Sequence, residues 1–181
     1  MLASDIMSRK LICCTPWDTV RTAARLMRRH GVGALPVVSD LSDSLLEGIV
    51  TDRDLCCGVL ADGKNADAVK VEDVMTRVPV TCEPNDPIGV CEERMQEDQI
   101  RRIPVVNKQG RCVGIIAQAD IAHRAPAAHV AETLREISKA ARPRESLLFE
   151  PDRFYCGQLH EQDEILLLQR RRELRRELEA A

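Results

Sequence analysis

The stretch Gly48-Ile49-Val50-Thr51-Asp52-Arg53-Asp54 returns later in the chain as Gly114-Ile115-Ile116-Ala117-Gln118-Ala119-Asp120. In each copy an apolar strand runs into a polar helix start. The repetition continues on both sides. Asp5-Ile6-Met7-Ser8-Arg9 returns as Asp73-Val74-Met75-Thr76-Arg77, and Thr15-Pro16-Trp17-Asp18 as Glu83-Pro84-Asn85-Asp86. Met27 returns as Met95, and Leu35-Pro36-Val37-Val38 as Ile103-Pro104-Val105-Val106. The offset is 68 residues, falling to 66 after a two-residue difference in the loop around Leu41–Leu46. Two units of about 55–60 residues cannot each bury much core, whereas two packed together can.

Each unit reads as strand, helix, strand, strand, helix. A short apolar strand (Leu11–Cys14; Val80–Cys82) precedes a proline at the first helical position, with an acid two residues on. Val20, Ala23, Ala24 and Met27 have helical spacing, and Gly31 stops that helix. A strand holding Pro36 or Pro104 follows, then the loops Asp40–Ser44 and Asn107–Gly110, a further strand (Gly48–Val50; Val113–Ile116) and a closing helix from Asp52 or Gln118. The expected fold is mixed α/β (α+β): two β-α-β-β-α repeats related by a pseudo-twofold axis, plus a C-terminal helical extension. The expected boundaries are 1–62, 63–125 and 126–181.

Composition narrows the function classes. The chain has 181 residues, 26 Lys+Arg against 29 Asp+Glu, and 44% hydrophobic residues. The net charge of −3 is too small to argue for a nucleic-acid or membrane partner. The apolar content excludes a wholly disordered chain. Aromatics are only Trp17, Phe149, Phe154 and Tyr155, too few for a base-stacking platform. No apolar run approaches the roughly 18–20 residues that span a bilayer, and the N-terminus has no basic and apolar export signal. The eight cysteines (13, 14, 56, 57, 82, 91, 112 and 156) contain no C-x-x-C, and the four histidines complete no zinc pattern. They read as reduced, mostly buried thiols of a cytoplasmic protein, and no metal is expected. The competing reading is a redox sensor at Cys56 or Cys57.

The doubled motifs resemble a tandem pair of cystathionine-β-synthase (CBS) domains, a Bateman module. The residues that carry the resemblance are Gly33-Ala34-Leu35-Pro36-Val37-Val38, Gly48 to Asp54, Asp73-Val74-Met75-Thr76, and Arg101-Arg102-Ile103-Pro104-Val105-Val106 with Gly114 to Asp120. They cover about two thirds of the chain. The resemblance implies a non-catalytic regulatory module that binds an adenosine-containing ligand between its halves. AMP leads that list, followed by ATP, ADP, NAD and S-adenosylmethionine. A homodimer without nucleic-acid or membrane partners is the implied assembly.

Physically, the helix start after Val50 offers free N–H groups and a positive dipole end. The Thr51 hydroxyl can meet a ribose or phosphate oxygen, and Asp54 can accept from ribose hydroxyls. The same Thr-x-x-acid spacing also makes a capping box that satisfies only backbone donors. In the second unit Ala117 replaces the hydroxyl while Asp120 remains, which weakens a ribose site there. Arg101 and Arg102 precede the Ile103-Pro104 strand where the first unit has Gly33 and Ala34. A guanidinium there suits a phosphate, or it is a surface charge paired with Glu92, Glu93 or Glu97. Gly33 and Ala34 leave room for phosphates, or simply for close backbone approach. Ile12, Cys14, Thr15, Val80, Cys82, Ile103 and Pro104 are candidate adenine walls and equally candidate core. The expected ligand set is Thr15, Gly33, Ala34, Thr51, Arg53, Asp54, Arg101, Arg102, Ile103, Pro104 and Asp120. Arg28-Arg29-His30 reads as a helix end, where cations complement the dipole.

No Ser/His/acid set, phosphate-cradling glycine loop or metal-spaced histidine pair stands in a motif context, so no enzyme is expected. Beyond the repeats, Ala127–Arg142 reads as a helix with Val130, Leu134 and Ile137 on one face. Residues 143–155 read as a linker. Gln158–Ala181 reads as a helix with Leu167, Leu174 and Leu178 on a seam, for packing on its own module or for docking a partner. The rival to the sensor reading is a structural or docking protein with empty clefts that works through these C-terminal helices.

Overall fold

The computed structural model describes residues 1–124 and 127–138. The expected linker over 143–155 and the expected helix over Gln158–Ala181, together with Cys156, fall outside the described residues.

The chain begins with a single helical turn, α1 (Ala3–Ile6), followed after a long loop by α2 (Val20–His30). The hairpin β1 (Ala34–Val38) and β2 (Leu46–Thr51) comes next, then α3 (Asp52–Leu55), which runs into a π-helical turn over Cys56–Leu60. A 3-10 turn (Val71–Asp73) and the short β3 (Thr76–Arg77) lead to α4 (Ile88–Glu97). The second hairpin, β4 (Arg102–Val106) and β5 (Cys112–Ala117), precedes α5 (Gln118–Arg124) and α6 (Ala127–Ile137).

The two hairpins are built alike. Ala34 pairs with Thr51 and Arg102 with Ala117, and each register slips at the same place, between Val37 and Val38 and between Val105 and Val106. At the loop ends they meet across the pseudo-twofold axis. The N–H of Leu46 donates to the Gly110 carbonyl at 3.0 Å, and the N–H of Cys112 donates to the Ser44 carbonyl at 2.8 Å. Ser44 and Gly110, equivalent residues, both take positive φ, 58° and 76°. That conformation costs a serine more than a glycine.

Each sheet is completed by the segment that precedes the other repeat. β3, before the second repeat's helix, pairs antiparallel with β2. Ser8, at the start of the chain, pairs with Ile115 of β5. Ala3, Ile6 and Met7 accordingly lie in the second repeat's core with Met95, Ile103, Val105, Ile116 and Ile121, while Met75 lies in the first repeat's core with Val20, Leu35, Val37 and Val50. Fully buried Leu35 and Ile103 each contribute about 1.5–3 kcal/mol. The crossed segments make the two cores mutually dependent. α6 adds to the second core: Ile137 is 3% exposed within it. Buried Thr133 also accepts a hydrogen bond from Gln96 Nε2 at 3.0 Å.

Two local expectations are corrected. Leu11–Cys14 and Val80–Cys82 are not strands: each contributes one parallel bridge, Cys14 with Val37 and Cys82 with Val105. Nor do Pro16 and Pro84 open helices. Asp18 accepts from the N–H of Thr15 at 2.7 Å, and Asp86 from the N–H of Glu83 at 2.9 Å, so each proline lies in a closed turn. The helices start later, at Val20, where Thr19 caps by accepting from the Thr22 N–H at 3.2 Å, and at Ile88. Gly31 ends α2 in the left-handed region, as its sequence position predicts.

Candidate functional site

The β2–α3 junction carries the first half of the site. Thr51 is the N-cap of α3: its Oγ1 accepts from the Asp54 N–H at 3.3 Å. Asp54 Oδ2 accepts in turn from the Thr51 N–H at 2.8 Å and the Thr51 hydroxyl at 2.7 Å. The capping box is therefore formed in full. In the second repeat half of it persists: Asp120 Oδ2 accepts from the Ala117 N–H at 2.8 Å. The same link between an aspartate and the N–H three residues earlier also occurs at Asp5, Asp18, Asp73 and Asp86. Capping thus accounts for one oxygen of each carboxylate. Oδ1 of Asp54 and of Asp120 has no partner among the described residues, and both side chains are half-buried.

The second half is Gly33 with Arg102. The N–H of Asp52 donates to the Gly33 carbonyl at 3.2 Å, tying the residue before β1 to the helix start after β2. A Cβ at Gly33 would stand 2.8 Å from Asp52 Oδ2 and 2.9 Å from Arg102 Nη2. The missing side chain is therefore a notch where a cation from the second repeat approaches the helix start of the first. Neither Arg101 nor Arg102 makes an ion pair or hydrogen bond through its side chain among the described residues. The surface pairing with Glu92, Glu93 or Glu97 is not formed there. The Arg101 carbonyl accepts from the Gln118 N–H at 2.9 Å, the counterpart of the Gly33–Asp52 bond.

The other expected ligand residues are more scattered. Ala34 is buried at the start of β1, and Arg53 is exposed on α3. Thr15 turns its hydroxyl to Asp18 Oδ2 at 3.0 Å. Ile103 is fully buried in the second repeat's core and Pro104 is buried beside it, so neither presents a free wall. Asp52 was missed by sequence reasoning. Its signal was available: it holds in the first repeat the place of Gln118 in the second, just as Gly33 holds the place of Arg101. A cavity of about 320 Å³ opens among Arg101, Arg102, Ala117, Gln118, Ala119, Ala122 and Leu134.

The described cysteines are all free. Cys14, Cys82, Cys91 and Cys112 are buried, whereas Cys56 and Cys57 are exposed. Burial pushes the Cys14 and Cys112 thiols up to about 12 and raises Cys13. Cys82 is held protonated by its hydrogen bond to Cys91 and by burial. These groups behave as small apolar side chains at neutral pH. Among the described residues no cluster of three or more His, Cys, Asp or Glu is placed to hold a metal ion, and no helix is long and apolar enough to cross a membrane.

Two copies of the CBS domain model match residues 3–59 and 71–127. The chain belongs to the CBS-domain family. Hypoxic response protein 1 of Mycobacterium tuberculosis is 33% identical over 135 residues, covering 75% of this chain and 92% of that protein. A crystal structure of hypoxic response protein I with two coordinated zinc ions superposes with a TM-score of 0.63 at 35% identity, over 70% of this chain and 100% of that one. A CBS domain pair solved with 5-methylthioadenosine and S-adenosyl-L-methionine gives 0.61 at 30% identity, over 68% and 94%. The plant CBS-pair protein CBSX2, from Arabidopsis thaliana, solved with AMP, gives 0.60 at 26% identity, over 68% and 95%. Two CBS repeats in an α+β fold are thus shown by the sequence match and by the structural neighbours alike.

Proposed function

We propose that the chain is a non-catalytic regulatory module that binds an adenosine-containing ligand where Thr51, Asp54 and Gly33 of the first repeat meet Arg102 of the second. The observation that carries this reading is the approach of Arg102 Nη2 to the notch at Gly33. It joins a phosphate-binding cation to a helix start that already presents a hydroxyl and a carboxylate oxygen. In this reading Asp54 Oδ1 accepts from a ribose hydroxyl while Oδ2 continues to cap α3. Arg102 takes the phosphate, which favours AMP, ADP or ATP over S-adenosylmethionine, which has no phosphate. NAD, with its phosphates inside the molecule, ranks between them. Asp120 offers a second, weaker ribose site, since Ala117 supplies no hydroxyl.

Because the ligand touches both repeats, it binds one mutual arrangement more tightly than another, which is the condition for a binding event to become a signal. The module acts as an intracellular homodimer in this account. The buried, unpaired thiols support a reducing compartment, and light scattering of the purified chain tests the dimer. Thermal unfolding with AMP, ADP, ATP, NAD and S-adenosylmethionine tests the site. The account expects stabilisation by the nucleotides and its loss in Thr51→Ala/Asp54→Ala. Stabilisation unchanged in that variant contradicts the site.

A further inference from the structure

The equivalent helices of the two repeats carry opposite charge at matching positions. α2 and α4 start at Val20 and Ile88, 68 residues apart, which is the offset of the repeat. At that offset Arg25 corresponds to Glu93, Arg29 to Glu97 and His30 to Asp98, and all six are exposed. Arg21, Arg25, Arg28 and Arg29 are spaced to share one face of α2, a helix without any acid. Arg21 is held by Asp67. Arg25, Arg28 and Arg29 make no ion pair among the described residues, and neither do Glu93, Glu97 and Asp98. The one arginine of α4 is engaged elsewhere: Arg94 Nη1 donates to the Thr81 carbonyl at 2.8 Å and to Asp86 Oδ2 at 3.0 Å.

Both patterns disfavour their own helix. Arg25 with Arg29, and Glu93 with Glu97, are like charges one turn apart. Glu97 and Asp98 also stand at the C-terminal end of α4, where the helix dipole opposes an anion. The two faces would neutralise each other, yet each helix is anchored to a different core, α2 through Val20, Ala23 and Met27 and α4 through Cys91 and Met95. A polyanion would answer the arginines and leave the acids of α4 without a counterpart. A second copy of the chain answers both.

We propose that two copies associate head to tail, with Arg25 and Arg29 on α2 of each copy facing Glu93 and Glu97 on α4 of the other. This rests on the homodimer of the proposed function and names its contact faces and direction. Two identical α2–α4 contacts close the assembly at two copies. The opposite, head-to-head arrangement sets arginines against arginines and glutamates against glutamates, so the charges select one direction by repelling the other.

The test is a charge exchange on the full chain, read as the dimer dissociation constant by sedimentation equilibrium. Arg25→Glu/Arg29→Glu and Glu93→Arg/Glu97→Arg change exposed helix positions, so the fold tolerates them. Each variant alone should dimerise about tenfold more weakly than the parent or worse, since both of its contacts become like-charged. An equimolar mixture of the two should recover the parent's affinity, because one restored and one native contact then face each other. The variant with all four substitutions should recover it too, and a chain that had merely misfolded could not. The parent's dimer should weaken as salt rises. If the parent dimerises and neither variant weakens it, or if the mixture and the fourfold variant stay weak, the α2–α4 arrangement is overturned while the homodimer stands. A parent that remains monomeric at low salt and high concentration overturns the homodimer and this arrangement with it.

Discussion

Arg102 of the second repeat ends at Gly33 of the first, its Nη2 2.9 Å from the point where a Cβ at that glycine would stand. The atoms a new methyl would meet are the ends of two flexible side chains, those of Asp52 and Arg102. Gly33→Ala therefore costs little stability, under about 1 kcal/mol, because both can swing aside. It does displace the cation from the notch. Affinity for AMP should fall about tenfold with the unfolding midpoint nearly unchanged, as calorimetry and urea titration would show.

Asp52 stands on the other side of that notch and opposes an incoming phosphate. Asp52→Asn keeps the shape and removes the charge. It should tighten AMP binding by about two- to fivefold at low salt, with the gain shrinking as salt rises, because the carboxylate is solvent-exposed. Weaker binding in Asp52→Asn would make Asp52 a ligand group instead.

The two repeats provide their own control for capping. Thr51 closes a complete box, whereas Ala117 leaves only the carboxylate half. Thr51→Ala should cost about 1 kcal/mol of stability, and Ala117→Thr should add up to about 1 kcal/mol. Equilibrium urea unfolding of both variants measures each difference against the parent.

Buried thiols give the chain an alkaline weakness. Burial, the largest cause, pushes Cys14 and Cys112 up to about 12, while an unfolded cysteine ionises near about 8.5. A group with a raised folded value stabilises fully below its unfolded value and loses that contribution as pH climbs toward its folded one. Stability should thus decline between about pH 9 and 12. In Cys14→Ala the decline should be shallower than in the parent, and denaturant midpoints across that range would show it.

The repeat made the fold legible, because a doubled pattern by itself fixes which elements of the two halves correspond. The hairpins, Gly31 and the apolar face of α6 all read correctly from spacing. The first strands and the helix starts did not. Proline followed by an acid fits a first helical turn and a closed turn equally well, and only the bond from Asp18 to the Thr15 N–H separates the two. The crossing of Met7 and Met75 into the opposite repeats was invisible, since neither residue's neighbours in sequence indicate which sheet it will cover. Thr51 and Asp54 stood out by their motif. Asp52 did not, because its part depends on Gly33 and Arg102, which are distant in sequence.

Titration calorimetry with AMP, run on the parent chain and on Thr51→Ala/Asp54→Ala with circular dichroism confirming that the variant is folded, tests the central claim most directly. The account predicts saturable heat from the parent and none from the folded variant. No heat from the parent, or equal affinity in both, would contradict it.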